Sequence, residues 1–460
     1  MAVDKKHTIA VLGSGESGMG AALLAKAKGM EVFLSEYGEI DSDRRTILEV
    51  KGIDFEENGH SIEKLQECEE VVKSPGIPET ADVIVGLKKA AIPVISEIEF
   101  ASRFTQAKLI GITGSNGKTT TTLLTYHLLK SAGLNVAMAG NIGNSLAGLL
   151  LESDYDIIVL ELSSFQLDGV YEFKADTSML LNITPDHLDR YNYDINLYAD
   201  SKMRILQNQE VTEALIYSMD DQLVLNKIDE KQPQAEKLGF SLSSNQAAAF
   251  LDNGELVINS GKQKVNIPVG DIPLIGKHNL SNTMAAVLAA VRYGVSEADI
   301  KKGLSTFENA PHRLEYVARV DGVRFINDSK ATNVDSVYYA LDGMDRDVIW
   351  IAGGVNKGND YSAIGDLVKE KVNALICLGV DNEHLIDAFE DDIDIIVESQ
   401  DMAECVDMAL KMAYPGDVVL LSPACASFDL FKSYEHRGDE FKNAVLNLKK
   451  NFKSKRVLTV

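Results

Sequence analysis

The sequence is poor in cysteine. Its 460 residues include four, Cys68, Cys377, Cys405 and Cys425. No two of them have C-x-x-C spacing, so the sequence predicts neither a zinc site nor a disulfide framework. Isolated thiols of this kind are typical of a reducing compartment. We therefore expect a cytoplasmic protein.

Positive charge is also scarce. The chain has 45 lysines and arginines against 69 acidic residues, which gives a formal net charge of −24. Such an excess repels the phosphates of nucleic acids and the anionic surface of a membrane. We therefore expect neither as a partner, and an anionic ligand must be met by a local cluster of cations.

Long apolar runs are missing as well. None approaches the ~20 residues of a membrane-spanning helix. The short run after Lys6 breaks at Gly13, too early for a signal peptide. The hydrophobic content of 45% and charged content of 25% are typical of globular proteins. At ~150 residues per domain, the length predicts about three domains.

One segment that is present, TGSNGKTTTT at residues 113–122, indicates a P-loop. The apolar run before it predicts a buried strand, and the leucines after it recur at helical spacing. Strand, loop and helix are the context that a P-loop requires. The glycine spacing is unusual, because five residues separate Gly111 from Gly117 and two separate Gly114 from Gly117.

The residue types of this loop suit a polyphosphate. Glycines let backbone N–H groups turn towards phosphate oxygens, and a helix N-terminus adds partial positive charge. Lys118 can reach the β- and γ-phosphates, and the Thr119 hydroxyl can bind Mg²⁺. The predicted binding residues are Gly114, Ser115, Asn116, Gly117, Lys118, Thr119 and Thr120.

A second glycine loop lies near the start of the chain. Residues 8–12 predict a strand, residues 13–18 fit G-x-G-x-x-G, and a second predicted strand ends at Glu36. This fingerprint specifies a diphosphate at a helix N-terminus, so a dehydrogenase that binds NAD or FAD stays open as an alternative. The loop at residues 74–78 is expected to face the glycines across a parallel sheet.

Two further predicted strands end in polar side chains. Glu161 closes the apolar run 155–160, as does the carboxylate that holds Mg²⁺ beside a P-loop. The run 179–183 opens into a loop that contains His187, which we interpret as a metal ligand or as a group that supports one. Helical spacing is predicted for residues 194–204.

The whole pattern predicts an α/β fold of three domains. Residues 1–98 form a Rossmann-like domain, and residues 99–308 form a P-loop domain with a parallel sheet and a small antiparallel excursion at 246–272. Residues 309–460 form a second Rossmann-like domain. Its parallel strands are predicted at 323–326, 347–352, 374–378, 393–397 and 418–422.

The motifs resemble, in their order, those of the Mur ligases of peptidoglycan synthesis. They are TGSNGKTTTT, ELSSFQL, NITPDHLDRY, YADSKMRI, GKHNLSN, APHRLEYV, NDSKATN, GGVNKGNDY, LSPACASFDLF and HRGDEF. The resemblance runs from Gly13 to about Phe441. The last four motifs are similar to those of the branch that adds D-glutamate to UDP-N-acetylmuramoyl-L-alanine. The Asp-Asn-Pro-Arg sequence of the diaminopimelate-adding branch is absent.

The resemblance implies a reaction. ATP phosphorylates a terminal carboxylate, an amine attacks the acyl phosphate, and an amide forms. Catalytic roles are implied for Lys118, His187, Lys202 and Glu161. One Mg²⁺ ion would bind Thr119 and Glu161, and a second would bind His187 and Lys202. Since an ammonium cannot bind a cation, the resemblance implies that CO₂ converts Lys202 to a carbamate.

Binding residues are also implied. For ATP, beyond the loop, they are Asn282, Arg313 and Asp328. For the UDP-linked substrate they are Ser14, Gly15, Glu16, Ser17, Glu36, Ser74, Pro75, Gly76, Asn141, Ser163, Gln166 and His187. For D-glutamate they are Lys330, Thr332, Lys357, Ser427 and Tyr434. Ser35-Glu36 differs from the Asp-Thr-Arg of some members, and Tyr434 stands where others have phenylalanine.

A non-catalytic function also remains open. A P-loop protein can use its nucleotide state to control the binding of a partner, and the motif alone does not distinguish that role from catalysis. The resemblance instead implies two small-molecule substrates as the partners, and we expect a monomer.

Overall fold

The strands form three sheets, of five, nine and six strands. The computed structural model describes residues 7–261, 263–356 and 358–457. The chain divides into two compact units, the first running up to Asp271 and including Ser281–Phe307. The second consists of Ile272–Leu280 and the chain from Glu308 onward. The first two sheets lie in the first unit and the third sheet in the second.

The first sheet is parallel throughout, in the order β3-β2-β1-β4-β5. Its strands are β1 (Thr8–Leu12), β2 (Glu31–Ser35), β3 (Asp54–Glu56), β4 (Glu70–Lys73) and β5 (Val94–Ser96). Its helices are α1 (Glu16–Ala27), α2 (Ser42–Lys51), α3 (Ile62–Gln66), α4 (Asp82–Lys89) and α5 (Glu97–Ser102). The strand order reverses between β1 and β4, where a sheet of this kind opens a crevice for a ligand.

Close packing at the start of α1 requires glycine. A Cβ atom on Gly18 would lie 1.8 Å from the carbonyl oxygen of Gly13. Gly13 itself has a φ of 93°, in the left-handed region. These two glycines therefore let the helix begin directly against the end of β1.

The central sheet has the order β14-β13-β12-β11-β10-β9-β6-β8-β7. Its strands are β6 (Lys108–Thr113), β7 (Val136–Gly140), β8 (Ile157–Glu161), β9 (Thr177–Leu180), β10 (Ala214–Ser218), β11 (Glu236–Ser241), β12 (Ala249–Asp252), β13 (Glu255–Asn259) and β14 (Lys264–Pro268). The predicted antiparallel excursion is confirmed: β12, β13 and β14 pair antiparallel and extend the parallel part.

The helices of this region are α6 (Lys118–Ser131), α7 (Leu146–Leu149), α8 (Ser164–Leu167), α9 (Ile195–Met203), α10 (Gln222–Lys231), α11 (Lys277–Arg292) and α12 (Glu297–Thr306). A short 3₁₀ helix, Leu188–Tyr191, precedes α9. The strand, loop and helix predicted around the P-loop are confirmed as β6 and α6. The apolar residues of β6 and β8 are buried, so the loops at their carboxyl ends rest on a packed core.

The third sheet has the order β15-β16-β20-β17-β18-β19. Its strands are β15 (Glu315–Val320), β16 (Val323–Asn327), β17 (Val348–Ala352), β18 (Val372–Leu378), β19 (Ile396–Ser399) and β20 (Val418–Leu421). Its helices are α13 (Val334–Asp342), α14 (Gly365–Lys371), α15 (Glu383–Phe389), α16 (Met402–Met412) and α17 (Tyr434–Val457). The alternation of strands and helices confirms the predicted α/β class.

One edge strand differs from the expected all-parallel arrangement. β15 pairs antiparallel with β16. The two strands are joined by Asp321 and Gly322, whose φ angles are 47° and 85°. Positive φ at both positions is typical of the two-residue turn of a β-hairpin. The two strands of a hairpin pair antiparallel.

The three sheets agree with a three-domain α/β protein. The boundaries at residues 98 and 308 stay predictions. Among the helices of the described chain, none is long and apolar enough to cross a membrane.

Gly18→Ala is expected to lower the urea midpoint, because the added methyl group meets backbone rather than a movable side chain. Overpacking of this kind costs roughly 1–3 kcal/mol. Gly15→Ala is the matched control, since a Cβ there meets no atom within 4 Å. Equal urea midpoints for the two variants would contradict the packing argument.

Candidate active site

The P-loop lies between β6 and α6 in the first unit. Gly117, with a φ of 84°, immediately precedes the helix. The N-cap residue of α6 is this glycine, which has no side chain to cap the helix, and the first turn carries no acidic residue, so this helix end suits an anion. A Cβ on Gly117 would lie 2.3 Å from Asn282 Oδ1. The structure thus brings Asn282, predicted for adenine, against the loop.

The loop is braced by Asn182, which follows β9. The N–H of Ser115 donates to the Asn182 carbonyl oxygen at 3.0 Å, and the N–H of Asn116 donates to Asn182 Oδ1 at 2.8 Å. The Ser115 hydroxyl donates to the carbonyl oxygen of Thr184 at 2.8 Å. Two N–H groups of the predicted phosphate loop are therefore engaged within the protein. Sequence reasoning missed Asn182, although it begins the motif NITPDHLDRY.

Two lysines converge on one carbonyl oxygen. Lys118 Nζ donates to the carbonyl oxygens of Gly114 and Ser115, both at 2.8 Å. Lys202 Nζ also donates to Gly114 O at 2.8 Å. Lys202 is buried. Burial first, and the charge of Lys118 second, lower the pKa of Lys202 well below its ordinary value, although Asp186 and Asp168 oppose the shift.

Glu161 ends β8 as a buried carboxylate. Its Oε1 accepts a hydrogen bond from Asn141 Nδ2 at 2.9 Å, and its Oε2 is buried with no hydrogen-bond partner. The register places Glu161 beside Ile112, one residue before the end of β6. A buried carboxylate oxygen without a donor is costly unless a cation meets it.

The first glycine loop is occupied by one of the chain's own carboxylates. The N–H and hydroxyl of Ser14 donate to Glu36 Oε2 at 2.6 and 2.8 Å. Burial raises the pKa of Glu36, but these hydrogen bonds outweigh burial and lower it. The predicted Ser74 loop does face the glycines, since a Cβ on Gly13 would lie 2.6 Å from Ser74 Oγ.

Two other residues predicted to bind substrate contact each other. Gln166 Oε1 accepts from the N–H of Ser163 at 3.0 Å and from its hydroxyl at 3.1 Å. The Ser163 hydroxyl accepts in turn from the N–H of Gln166 at 3.3 Å. This capping box fixes the start of α8 directly after Glu161. The binding roles of these residues and of Asn141 stay predictions.

In the second unit Asp328 follows β16 and is buried. Its two oxygens accept from the Ser422 hydroxyl at 2.9 Å and from the N–H of Leu314 at 3.1 Å. Burial raises the pKa of Asp328 to about 7, which the hydrogen bonds and the Arg313 guanidinium offset only in part. Arg313 and Asp328, both predicted to bind ATP, therefore lie close together in this unit.

Four of the residues predicted to bind the amino acid are described in this unit. Lys330 Nζ lies 5.2 Å from the ring centroid of Tyr434. Ser427 is buried and Thr332 half-buried. Lys357, the other predicted cation, lies outside the described residues. The structure thus places Lys330 beside Tyr434, and the binding roles of all five residues stay predictions.

Comparison with known proteins accounts for most of the chain. Residues 8–83 match the MurD N-terminal domain, residues 112–290 the Mur ligase middle domain, and residues 312–425 the Mur ligase, glutamate ligase domain. The chain belongs to the Mur ligase family. This assignment removes the dehydrogenase alternative, because the first glycine loop lies within a Mur ligase N-terminal domain.

Two relatives are similar to this Mur ligase over nearly their whole length. The UDP-N-acetylmuramoylalanine--D-glutamate ligase of Cytophaga hutchinsonii is 50% identical over 96% of this chain and 99% of its own. The protein of the same name from Bacteroides fragilis is 49% identical with the same coverage. The structure of MurF ligase from Thermotoga maritima in complex with ADP shares the fold, with a TM-score of 0.60, 15% identity, and coverage of 92% of this chain and 96% of that one.

The polar groups of this Mur ligase fit Mg²⁺ better than a metal that needs a full protein cage. Across the described residues no three His, Cys, Asp or Glu side chains form a cluster that could hold a metal. Mg²⁺ keeps several waters and takes one or two carboxylates together with phosphates. The unpartnered Oε2 of Glu161 and the buried Thr119 in the first turn of α6 suit that demand.

His187 occupies a strained position. Its φ is 52°, in the left-handed region, and its side chain is 55% exposed. Its ring lies 5.2 Å from that of Phe165, and its Nε2 lies 3.6 Å from Asp186 Oδ2. A non-glycine residue in this conformation is held there by its surroundings. Within the described part of the chain no hydrogen bond or ion pair joins His187 to Lys202, so their shared metal ion stays a prediction.

Sequence reasoning missed Arg437, which organises the second unit's loops. Its buried guanidinium donates to the Ser329 hydroxyl at 3.0 Å, to the Gly353 carbonyl oxygen at 3.3 Å and to the Cys425 carbonyl oxygen at 3.1 Å. These three acceptors belong to the loops that follow β16, β17 and β20. Burial lowers the pKa of Arg437 to about 10, so it stays charged at neutral pH. The motif HRGDEF contained the residue without indicating this role.

Lys202→Met is expected to stabilise the protein at pH 7 in CO₂-free buffer. The free energy of unfolding should rise by the order of 1 kcal/mol, and the urea midpoint should rise with it. The unfolded chain keeps the Lys202 proton up to pH about 10.4, whereas the folded chain releases it at lower pH. Unfolding therefore takes up a proton between these two values, and the gain from Lys202→Met should shrink as the pH approaches 10.

Lys227→Met is the matched control. Lys227 is also buried, and although burial lowers its pKa, hydrogen bonds to Asp200 and Glu230 outweigh burial and raise it. This substitution should lower the midpoint at pH 7. A lower midpoint for Lys202→Met as well would show that Lys202 is held as a favourably bonded ammonium.

Proposed function

We propose that this Mur ligase uses ATP to join D-glutamate to UDP-N-acetylmuramoyl-L-alanine in cytoplasmic peptidoglycan precursor synthesis. The carrying observation is the pair of lysines on the carbonyl oxygen of Gly114, three residues before the N-cap glycine of α6. The likeness to relatives of that name over 96% of the chain supports the substrates. The four cysteines, all within the described chain, form no disulfide, which agrees with a reducing compartment.

Transfer of a phosphoryl group to a carboxylate brings two anions together, so the first step needs cations. Lys118 extends along the P-loop and is held by the carbonyl oxygens of Gly114 and Ser115. From there its ammonium is close to any phosphate seated at the start of α6. It lowers the barrier by stabilising the negative charge on the transferring group.

Glu161 and Thr119 would hold the first Mg²⁺ ion. A bound Mg²⁺ supplies positive charge to the phosphates and to the carboxylate that is phosphorylated. Asn141 fixes the Glu161 carboxylate through Oε1, which leaves Oε2 for the metal. Glu161 is thereby oriented before any ligand arrives.

Lys202 would become a carbamate. Its lowered pKa increases the fraction of neutral amine, and the neutral amine is the form that attacks CO₂. The nitrogen lone pair forms an N–C bond, one C=O bond opens to a carboxylate, and the amine proton passes to water. A cation beside Lys118 is thus exchanged for an anion, which with His187 would hold a second Mg²⁺ ion.

D-glutamate would bind in the second unit. Its two carboxylates need cationic or hydroxyl-bearing partners in a protein of net charge −24. Lys330 supplies charge beside Tyr434, and Thr332 and Ser427 supply hydroxyl groups. Lys357 is assigned to the same pocket from the sequence. Arg437 holds the loops around this pocket in place through their backbone carbonyls.

Ligation of D-glutamate is expected to exceed that of L-glutamate, L-alanine, L-lysine and diaminopimelate under equal conditions, with UDP-N-acetylmuramoyl-L-alanine as acceptor. Phosphate release should require both substrates, because the amine consumes the acyl phosphate. Phosphate release with neither substrate would favour the non-catalytic P-loop alternative. Preference for another amino acid would keep the ligase chemistry and overturn the specificity.

Lys202→Ala is expected to lose nearly all ligation and to regain part of it with added acetate or propionate, since a short carboxylate can take the place of the carbamate. Wild-type protein in ¹³C-bicarbonate should show a single carbamate ¹³C resonance that Lys202→Ala lacks. Lys227→Ala is the matched control and should keep that resonance. Full activity without labelling would remove Lys202 from the mechanism.

A further inference from the structure

The loop after β4 lies between the first glycine loop and Arg190. Ser74 Oγ is buried without a hydrogen-bond partner and lies towards Gly13 of the first glycine loop. The following carbonyl oxygens, of Pro75 and Gly76, both accept from Arg190. Lys73 Nζ ties the loop further by donating to the Ile77 carbonyl oxygen at 2.8 Å. A ligand that seats on Ser74 therefore acts on the backbone that Arg190 holds.

Arg190 lies three residues after His187. Its Nη1 donates to Gly76 O at 3.2 Å and its Nη2 to Pro75 O at 3.3 Å. Its Cζ lies 4.3 Å from the ring centroid of Phe165, so the guanidinium also lies over an aromatic face. Arg190 thus joins the substrate-side loop of the first sheet to α8 of the central region.

Phe165 also contacts the segment that contains His187 and Tyr191. Its ring lies 5.2 Å from the ring of His187 and 6.2 Å from that of Tyr191, to which it is almost parallel at 12°. Tyr191 in turn lies 5.3 Å from Tyr198. His187 is half-exposed and in the left-handed region, so the Phe165 ring is one of the few groups that orient it.

Tyr198 completes the chain of contacts. Lys202 Nζ lies 4.3 Å from its ring centroid, and the Ser115 hydroxyl is 3.3 Å from its hydroxyl oxygen. Packed side chains and hydrogen bonds therefore run without a gap from the loop after β4 to the P-loop. Chains of packed side chains and hydrogen bonds of this kind can carry energetic coupling between two sites.

We propose that Arg190 is a positioning residue that couples the seating of a nucleoside diphosphate on the Ser74 loop to the orientation of His187. The inference rests on the proposed binding of the UDP-linked substrate by the first glycine loop. Arg190 touches neither reacting group. Arg190 acts through Phe165. A bound substrate thereby fixes the orientation of His187, beside which the substrate's carboxylate is received.

The kinetic test uses Arg190→Ala. Its kcat should fall by about 10- to 100-fold, because a displaced catalytic group costs that much. The KM for ATP should change by less than about 2-fold, since the P-loop keeps its own braces. Arg190→Lys should recover little, because an ammonium cannot bond two carbonyls and stack at once, whereas added guanidinium should restore part of the kcat of Arg190→Ala.

The direct test follows the ring protons of His187 by NMR, identified by their absence in His187→Gln. UDP should shift them in wild-type protein and leave them unshifted in Arg190→Ala, while calorimetry shows that both proteins bind UDP. Arg292→Ala is the matched control, because Arg292 also donates to a backbone carbonyl, that of Thr212, but far from His187 in the chain. Its kcat and its UDP response should match the wild type.

The outcomes separate two failures. If UDP binds both proteins and shifts His187 in both, with normal kcat in Arg190→Ala, the coupling through Arg190 is wrong. If UDP shows no binding to wild-type protein, the proposed nucleotide site is wrong and the coupling falls with it. If Arg190→Ala does not fold, Phe165→Leu takes its place, because leucine keeps most of the side-chain volume of phenylalanine. A wild-type shift of the His187 ring protons on addition of UDP to Phe165→Leu would also overturn the proposal.

Discussion

The carbonyl oxygen of Gly114 accepts hydrogen bonds from two lysines, and the chemistry of the first unit depends on that arrangement. Lys118 and Lys202 each approach it to 2.8 Å. Two ammonium groups around one oxygen repel each other, and burial removes the water that would screen them. The repulsion is relieved when Lys202 gives up its proton or when anions arrive. The proposed binding of a triphosphate and the proposed conversion of Lys202 to a carbamate would use both routes.

The parallel sheets explain why the reacting groups lie where they do. Glu161 ends β8 beside β6, and the P-loop leaves that same edge of the sheet. In the second unit, the loops after β16, β17 and β20 meet at Arg437. Because parallel strands end at a common edge, each unit gathers polar loops without bending its core. Local cations at those edges would meet the proposed anionic substrates despite the chain's overall negative charge.

Much of the local structure could be predicted from neighbouring residues. β1 was predicted and found at Thr8–Leu12, and Ser96 caps α5 by accepting from the N–H of Glu99 at 3.2 Å. Strand periodicity and capping depend on residues a few positions apart, so the sequence contains the needed signal. β15 was missed because its charged and apolar residues alternate weakly, and the Asp321-Gly322 turn that specifies it was overlooked.

The sequence by itself determined the α/β class, the two glycine loops, the order of motifs and which side chains are candidates for the chemistry. Tertiary structure alone decided that Lys202 is buried against Gly114, 88 residues away in sequence, and that one oxygen of Glu161 lacks a donor. It also decided the contacts of Arg437 with three loops. The physical reason is that charge state and hydrogen bonding depend on what surrounds a side chain in space, whereas helix and strand patterns depend on its neighbours along the chain.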